Sequence, residues 1–243
     1  MFDDEGLAVA RLFRDKGRSL LAIDSACLAG ADRLSRVDVN AMLRGDPASW
    51  ADWAALVVAL RRQTEHSWLP IVLGWFAPKP LVLTNLTGRQ PIRAGASPHL
   101  CVEVGGALER LVCTGTCGIA PESIVNDDLN ASPERLVARF GRCKSCKARI
   151  VPSVANGLHP DVQFDNDRAL DAWRSLSGKA VALVIANEGS LREQALRIAS
   201  AAGASVVSPP RGRDVAQWVN EVDHAVVSLG WGAPGHVSIG APE

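Results

Sequence analysis

Four cysteines fall into two close pairs near the middle of this 243-residue chain. The first pair is Cys113-Thr-Gly-Thr-Cys117, and the second, which follows the intervening residues 118–142, is Cys143-Lys-Ser-Cys146. The short spacing lets the two sulfurs of each pair converge, so one fold-back of the chain can gather four thiolates around a tetrahedral ion. The pattern predicts one structural zinc ion, with four buried thiols or two disulfides as the alternatives.

The other cysteines and the flanking histidines are expected to have no part in chemistry. A four-cysteine zinc site is closed, because its ligands leave no position for water or substrate, so zinc-dependent hydrolysis is not expected. Cys101 lies in the apolar run HLCVEV, and Cys27 is also expected to pack in the core. His99 and His159 are expected to be ordinary surface or core histidines.

Basic side chains cluster around the second cysteine pair. Residues 135–149 contain no acid and six basic residues, namely Arg135, Arg139, Arg142, Lys144, Lys147 and Arg149. A basic surface beside a zinc module is typical of nucleic-acid binding, because neutralised phosphates release counterions. The last five of these residues are therefore predicted contacts to DNA or RNA. A solvated surface around a structural metal is the alternative.

A second candidate site lies where a predicted strand, 179–186, passes into a predicted helix. The turn contains Glu188 and Gly189, and Ser190 opens the helix. Free backbone N–H groups and the helix dipole favour an anion at such a place. Arg213 and Asp214 complete this possible anion or ligand site. The glycine and lysine spacings of a Walker loop or a dinucleotide fingerprint are missing, and a plain β–α turn capped by serine is the alternative.

The run PPRGRDVAQW at 209–218 carries a family resemblance. Together with the strand and helix before it, residues 181–218 resemble the later half of a Toprim domain, the metal-dependent module of bacterial-type primases and topoisomerases. The resemblance implies a site with several carboxylates for Mg²⁺. The acidic turn here has only Glu188, and Asn85 stands where the family has a glutamate, so the resemblance implies a degenerate site.

The surrounding elements predict an α/β protein: a mostly parallel sheet with flanking helices plus a zinc-ribbon-like module. Helices are expected at 4–16, 31–44, 46–63, 132–140, 166–176, 190–202 and 214–222. Pro47 after Asp46 and Pro133 after Ser132 fit the first helical position behind a capping residue. Strands are expected at 19–25, 69–76, 80–86, 179–186, 204–208 and 224–230, with further strands through HLCVEV, LERLV and ARIVPSV. Trp50 and Trp53 lie on one face of the helix over 46–63, which indicates core packing. Residues 87–98 are turn-rich and are predicted to form a linker or long loop.

These elements divide into three predicted segments. Residues 1–98 form an amino-terminal α/β segment, residues 99–155 the zinc-ribbon-like module, and residues 156–243 a carboxyl-terminal α/β segment of Toprim or Rossmann type. Apolar strands alternate with amphipathic helices most clearly in the third segment, which is typical of a parallel sheet covered on both faces.

Composition bounds the class of protein. Apolar residues make up 47% of the chain, enough for a sizeable core, and 26 basic residues balance 26 acidic ones, so no global charge draws the chain to nucleic acid or membrane. No run reaches the length of a membrane span, and the amino terminus, MFDDEGLAVARLF, lacks the features of a signal peptide. A reducing, cytoplasmic location is expected, which favours metal binding over disulfides. The absence of Tyr beside seven Trp indicates a GC-rich coding sequence, typical of a bacterium or phage.

The sequence therefore favours a zinc-stabilised binding protein without catalysis of its own, associated with nucleic acid and with protein partners in a larger assembly. A metal- or nucleotide-dependent α/β enzyme that uses Glu188, Asp214 and the helix terminus at Ser190 is one alternative. A scaffold subunit that contacts only other proteins is the second alternative.

Overall fold

Six strands form one sheet in the order β4-β3-β2-β1-β5-β6. The computed structural model describes residues 8–9, 11–12, 17–23, 37–62, 68–76, 79–86, 89–115, 117, 130–154, 160–186 and 190–228. The strand bounds are β1 Arg18–Ile23, β2 Leu81–Leu86, β3 Cys101–Cys113, β4 Ile150–Val154, β5 Ala180–Ile185 and β6 Ser205–Val207. Only the β3–β4 pairing is antiparallel among these strands. The predicted α/β class with a mostly parallel sheet is confirmed.

Helices connect and cover the strands. Their bounds are α1 Val39–Arg44, α2 Pro47–Arg62, α3 Trp68–Gly74, α4 Arg89–Arg93, α5 Pro133–Phe140, α6 Pro160–Arg174, α7 Ser190–Ala201 and α8 Val215–Ser228. Capping residues set several of the starts: the Asp46 carboxylate accepts from the backbone N–H of Ser49, and the Ser132 hydroxyl accepts from that of Arg135. A proline occupies the first position of α2 and of α5, as the sequence predicts.

The central strands are buried on both faces. In β1, Leu21 and Ile23 pack in one cluster with α3 and α8. Leu20 and Ala22 point to the other face and pack in a second cluster with α6 and α7. Successive side chains of a strand alternate between faces, so an apolar run such as RSLLAI suits a strand with helices on both sides.

A third apolar cluster joins α2 and α5 to the far end of β3 and the start of β4. The Trp50 ring meets that of Trp53 edge-on with 5.4 Å between centroids and lies nearly parallel to that of Phe140 at 6.4 Å. The Trp53 indole N–H donates to the Leu108 carbonyl at 3.0 Å. The predicted tryptophan stripe of α2 is thus core, and this cluster also contains Cys113 and Cys143.

Two predicted strands are helices. Residues 68–74, which overlap the expected strand 69–76, form α3, where Leu69, Val72 and Leu73 share the buried face. The expected strand 224–230 is wrong as well, because α8 continues to Ser228 and buries Val222, Ala225 and Val226. Short apolar runs fit either structure, and in the fold the buried residues recur at spacings of three and four, as on one face of a helix.

Two further boundaries differ from the predictions. The expected linker 87–98 contains α4 and leads into a 3₁₀ turn at Pro98–Leu100. The two strands expected in HLCVEV and LERLV are one long strand, β3, which is irregular in its pairing with both neighbours. Each of the three predicted segments contributes two strands to the common sheet, and their boundaries stay a prediction.

Candidate functional site

The four paired cysteines lie together at the outer end of β3 and the start of β4. The Cys113 Sγ lies 3.4 Å from the Cys146 Sγ and 3.7 Å from the Cys117 Sγ. The Cys117 Sγ lies 3.6 Å from the Cys143 Sγ. All four sulfurs are within 4.8 Å of one another. A tetrahedral zinc with Zn–S bonds of about 2.3 Å has sulfur–sulfur edges of about 3.8 Å. The cluster therefore fits one tetrahedral metal ion.

Local backbone features bring the sulfurs this close. A Cβ added to Gly115 would lie 2.8 Å from the Cys146 Sγ, so a larger residue would push the two halves of the cluster apart. Lys147 adopts a left-handed conformation with φ of 61° just after the second pair. Its backbone N–H donates to the Cys143 carbonyl at 3.0 Å, which closes the turn that presents both cysteines.

The environment of the sulfurs is uneven. Backbone N–H groups of Cys146 and Ser145 donate to the Cys143 sulfur and lower the pKa of that thiol to about 6. Burial instead raises the pKa of Cys113 to about 12, because the charged thiolate loses solvation there. Without a nearby cation, ionisation of Cys113 beside the Cys143 thiolate is unfavourable. The arrangement therefore suits a site in which a bound metal ion balances the negative charge of the thiolates.

Cys101 is not part of this cluster. It opens β3 at the opposite end from Cys113, and its thiol donates to the Ser97 carbonyl at 3.3 Å. Burial raises the pKa of Cys101 to about 12, which keeps the thiol neutral. The Cys101 side chain is half-buried and packs against the core, close to the core position that the sequence predicts.

The predicted nucleic-acid contacts surround the metal cluster. The Arg142 Nη1 donates to the Lys147 carbonyl, and the Lys147 Nζ donates to the Lys144 carbonyl, so part of this charge secures the turn between the cysteines. The Arg139 guanidinium lies over the Phe140 ring. Arg149 is half-buried, and the other four of these basic residues are exposed. Their role as contacts to nucleic acid stays a prediction.

A second place of interest is the edge where the parallel strands end. Counted from β1, the chain adds β2 and β3 on one side and then β5 and β6 on the other, so the connections diverge between β1 and β5. In open α/β sheets, ligands bind in the crevice at the carboxyl ends of the strands, at such a switch point. Ile23 of β1 pairs with Ile185 of β5 here, and Thr84 of β2 pairs with Ile23 from the other side.

Helix α7 begins at this edge, next to the end of β5. The Arg192 Nη1 donates to the Ala186 carbonyl at 3.0 Å, and this bond ties the first turn of the helix to the residue that follows the strand. Ser190 is the first residue of α7, as expected. Glu188 and Gly189 of the predicted anion site lie outside the described residues.

The remaining residues of the predicted anion site have structural partners. The Arg213 guanidinium forms an ion pair with the Glu221 carboxylate of α8. The Asp214 carboxylate accepts from the backbone N–H of Gln217 at 2.8 Å, which makes Asp214 the cap of α8. Their part in a ligand site stays a prediction.

Solved structures identify the fold. No protein-family model and no curated protein sequence matches the chain. A Sir2 homologue in complex with NAD matches with a TM-score of 0.62 and 13% identity, covering 94% of this chain and 96% of that one. A Sir2 bound to an acetylated peptide matches with a TM-score of 0.61 and 13% identity, covering 92% and 98%. A Sir2 protein bound to a myristoylated histone peptide matches with a TM-score of 0.58 and 14% identity, covering 93% and 98%.

The likeness extends over almost the whole chain, and at this identity it shows the fold alone: the chain has the sirtuin fold. The predicted Toprim resemblance is therefore wrong. It relied on the run at 209–218, which forms the connection from β6 and the first turn of α8, and a short loop-to-helix run of this kind does not define a fold.

The predicted function is corrected by the same finding. A nucleic-acid-associated protein without catalysis was expected, whereas the matching structures are sirtuins solved with NAD and with acylated peptides. Among the described residues, no helix is both long enough and apolar enough to cross a bilayer.

The sequence analysis did not predict that the ends of β1 and β2 lie together at one edge of the sheet. The signal was present: the apolar runs RSLLAI and LVLTNL are each followed by polar and small residues, DSACLAG after the first and TGRQ after the second. Two such runs predict neighbouring parallel strands whose following loops meet at one edge. The Toprim resemblance directed attention to the turn after β5 and to Asn85 of β2, and not to the end of β1.

Proposed function

We propose that this chain is an NAD-dependent enzyme that removes acyl groups from acylated peptides. In this proposal an NAD-type dinucleotide binds at the carboxyl edge of the sheet, across the ends of β1 and β5. The observation that carries the proposal is the switch point between these two strands, in a fold shared with a Sir2 homologue solved with NAD. The acylated peptide is proposed from the peptide-bound structures of the same fold.

The start of α7 is proposed as the pyrophosphate site. The free N–H groups of a helix N-terminus and its dipole favour a phosphate group. Arg192 supports this part of the site, because its bond to the Ala186 carbonyl holds the helix against the end of β5. The sequence-predicted ligand residues Glu188, Gly189 and Ser190 belong to the same connection.

Zinc is proposed as the ion of the cysteine cluster, with a structural role. Four thiolates at tetrahedral spacing are the ligand set that zinc prefers in structural sites, and such a site has no open position for substrate. The ion would hold the turn at Gly115 against the turn at Lys147. In this way it would fix the module that extends from β3 and β4.

Calorimetric titration of the zinc-loaded protein with ADP-ribose and with NAD tests the dinucleotide site. We expect one binding site for each ligand and weaker binding of AMP, which lacks the second phosphate and ribose. Deacylation of acetyl-lysine and myristoyl-lysine peptides, followed by mass spectrometry with and without NAD, tests the reaction.

Two arginines of α7 provide a matched pair of variants. Arg192→Ala removes the bond to the Ala186 carbonyl, and we expect ADP-ribose binding to weaken about tenfold, since a hydrogen bond from a charged group contributes roughly 1.5–3 kcal/mol. Arg197→Ala removes the same charge from an exposed position of the helix and is expected to bind as the unchanged protein does. Absence of ADP-ribose and NAD binding in the unchanged protein would contradict the proposal.

A further inference from the structure

The residues at the carboxyl edge form a continuous row across four strands. Ile185 of β5 pairs with Ile23 of β1, Ile23 pairs with Thr84 of β2, and Thr84 pairs with Glu103 of β3. Glu103 is therefore the β3 residue of this row, which lies at or near the carboxyl ends of β5, β1 and β2. The residues that follow Glu103 in β3 lie beside the end of β2, and β2 separates them from the ends of β1 and β5.

Strand β3 bulges immediately after this row. Thr84 pairs with Glu103, but Leu86, only two residues later, pairs with Ala107, so β3 holds two extra residues in this interval. Gly106 has a φ of 85°, a left-handed conformation that glycine adopts without strain. Bulges redirect a strand and occur next to active sites, and glycine there lets another group approach the backbone closely. The bulge, Val104–Gly105–Gly106, lies beside the end of β2, where it can serve as one wall of the proposed site.

A buried side chain holds the strand just before the bulge. The Asn166 Nδ2 of α6 donates to the Glu103 carbonyl at 3.1 Å, and its Oδ1 accepts from the Glu103 backbone N–H at 3.0 Å. Asn166 is only 6% exposed. Along the described part of β4, pairing with β3 reaches only as far as Gly106. The Asn166 amide therefore bonds the backbone N–H and carbonyl of Glu103, as the backbone of a neighbouring strand does elsewhere in the sheet.

We infer that Asn166 is a positioning residue for the acylated-peptide side of the site. By holding both backbone groups of Glu103 it sets the point and the direction in which β3 leaves the sheet, and with them the place of the Val104–Gly106 wall. The dinucleotide is proposed to lie across β1 and β5, on the other side of β2. The asparagine should therefore govern the turnover of peptide more than the affinity for dinucleotide. This inference rests on the proposed function.

A purely structural role predicts a different result. If Asn166 only stabilised the fold, its removal would lower the melting temperature and reduce all ligand affinities together. A positioning role predicts a selective loss, because small displacements near reacting groups cost much more in rate than in binding.

Three variants of the zinc-loaded protein test this difference. Asn166→Ala removes both hydrogen bonds to Glu103. Asn166→Asp keeps an acceptor for the Glu103 N–H but loses the donor to its carbonyl. Asp171→Asn, on an exposed part of the same helix, is the control and is expected to behave as the unchanged protein. For each variant, kcat and KM for an acetyl-lysine peptide, the Kd for ADP-ribose, and hydrogen exchange of the 101–108 segment are measured well below the melting temperature.

For Asn166→Ala we expect kcat/KM to fall by roughly ten- to a hundredfold while the Kd for ADP-ribose changes by less than about twofold. Exchange at Glu103 should become faster without a change in β1 or β5. The kcat/KM of Asn166→Asp should lie between that of Asn166→Ala and that of the unchanged protein. Equal turnover by Asn166→Ala and the unchanged protein, or a parallel loss of turnover and ADP-ribose binding, would overturn this inference alone. An unchanged protein that binds no ADP-ribose and deacylates no peptide would overturn the proposed function, and this inference with it.

Discussion

The metal cluster and the carboxyl edge of the sheet are assembled in opposite ways. The cluster is made of two short turns, and the residues that shape it, such as Gly115 and Lys147, lie within two positions of a cysteine. The carboxyl edge is made of single residues from strands that are far apart in sequence, such as Ile23, Thr84 and Ile185. Metal ligands that are close together in the chain can be recognised from one sequence. Residues that meet only because of the strand order can be recognised only once the fold is known.

The two regions also differ in what holds them together. The module has one apolar cluster, and its core surrounds two of the four cysteines. The sheet is buried between two clusters, and its central strands β1 and β5 are almost wholly buried. We therefore expect the module to depend on its metal ion and the sheet to depend on packing. Variants in the two regions should therefore differ in what they change.

Removal of the metal should have the largest effect. Structural zinc sites supply on the order of 10 kcal/mol of binding free energy, which is also folding free energy. We expect Cys143→Ser, or a strong chelator, to unfold the module around α5 while much of the sheet keeps its protection from exchange. Metal content by mass spectrometry and hydrogen exchange of 130–154 measure this. Cys101→Ser is the control, because Cys101 lies outside the cluster, and it should keep one zinc. A Cys143→Ser protein with unchanged melting would contradict the metal dependence.

Two buried tryptophans allow the same change to be made in each region. The Trp173 indole N–H donates to the Ser19 carbonyl of the sheet at 2.8 Å, and that of Trp53 donates to the Leu108 carbonyl beside the module at 3.0 Å. Replacement of either by Phe leaves a buried carbonyl without its donor, and we expect a loss of about 2 kcal/mol in the free energy of unfolding.

The two tryptophan variants should differ in what else they change. Trp173→Phe should lower the denaturant midpoint of the sheet with no effect on metal affinity, whereas Trp53→Phe should also weaken zinc binding, measured by competition with a chelator. Equal zinc affinity in the two variants would show that the two regions are not separable in this way.

A single methyl group at the cluster should have a smaller effect. Gly115→Ala places a Cβ 2.8 Å from the Cys146 sulfur and 2.9 Å from the Ala148 Cβ. We expect zinc affinity to fall by roughly ten- to a hundredfold, the range found when groups around metal ligands are disturbed. Gly74→Ala is the matched control, since nothing lies within 4 Å of its added Cβ. An unaltered zinc affinity in Gly115→Ala would contradict the claim that the close contact between Gly115 and the Cys146 sulfur requires glycine.

The smallest expected effect is a pH dependence at the start of α2. Hydrogen bonds from the side chain and the backbone of Ser49 lower the pKa of Asp46 below its ordinary value of 3.8. Because the folded state favours the ionised form, the contribution is complete above that value and is lost as the pH falls through the lowered folded value. Asp46→Asn keeps the cap but cannot titrate, so its acid denaturation should lack this component. Identical acid denaturation profiles would contradict the role of the charge.

Much of the fold could be predicted from sequence because its signals are local. The cysteine spacing identified the cluster, and the prolines at the starts of α2 and α5 identified helix starts. The run 69–76 failed because a short apolar run is compatible with a strand and with a buried helix, and the choice was made by tertiary packing of Leu69, Val72 and Leu73. Nothing local to 224–228 distinguishes a strand from the last turns of α8.

The candidate site was harder to predict because its contacts join distant residues. Asn166 reaches Glu103 across 63 positions of the chain, and the order of strands around β1 is decided by the whole sheet. A ten-residue run at 209–218 suggested the wrong family, since that run reports on one loop and one helix start. Correct local patterns thus led to a correct fold class and an incorrect function.

Hydrogen exchange measured with ADP-ribose and, separately, with a zinc chelator tests the central claim most directly. The account predicts that ADP-ribose slows exchange in the segments that follow β1 and β5 and leaves 130–154 unchanged, and that the chelator speeds exchange in 130–154 first. Exchange at the ends of β1 and β5 that does not respond to saturating ADP-ribose would contradict a dinucleotide site at the carboxyl edge of this sheet.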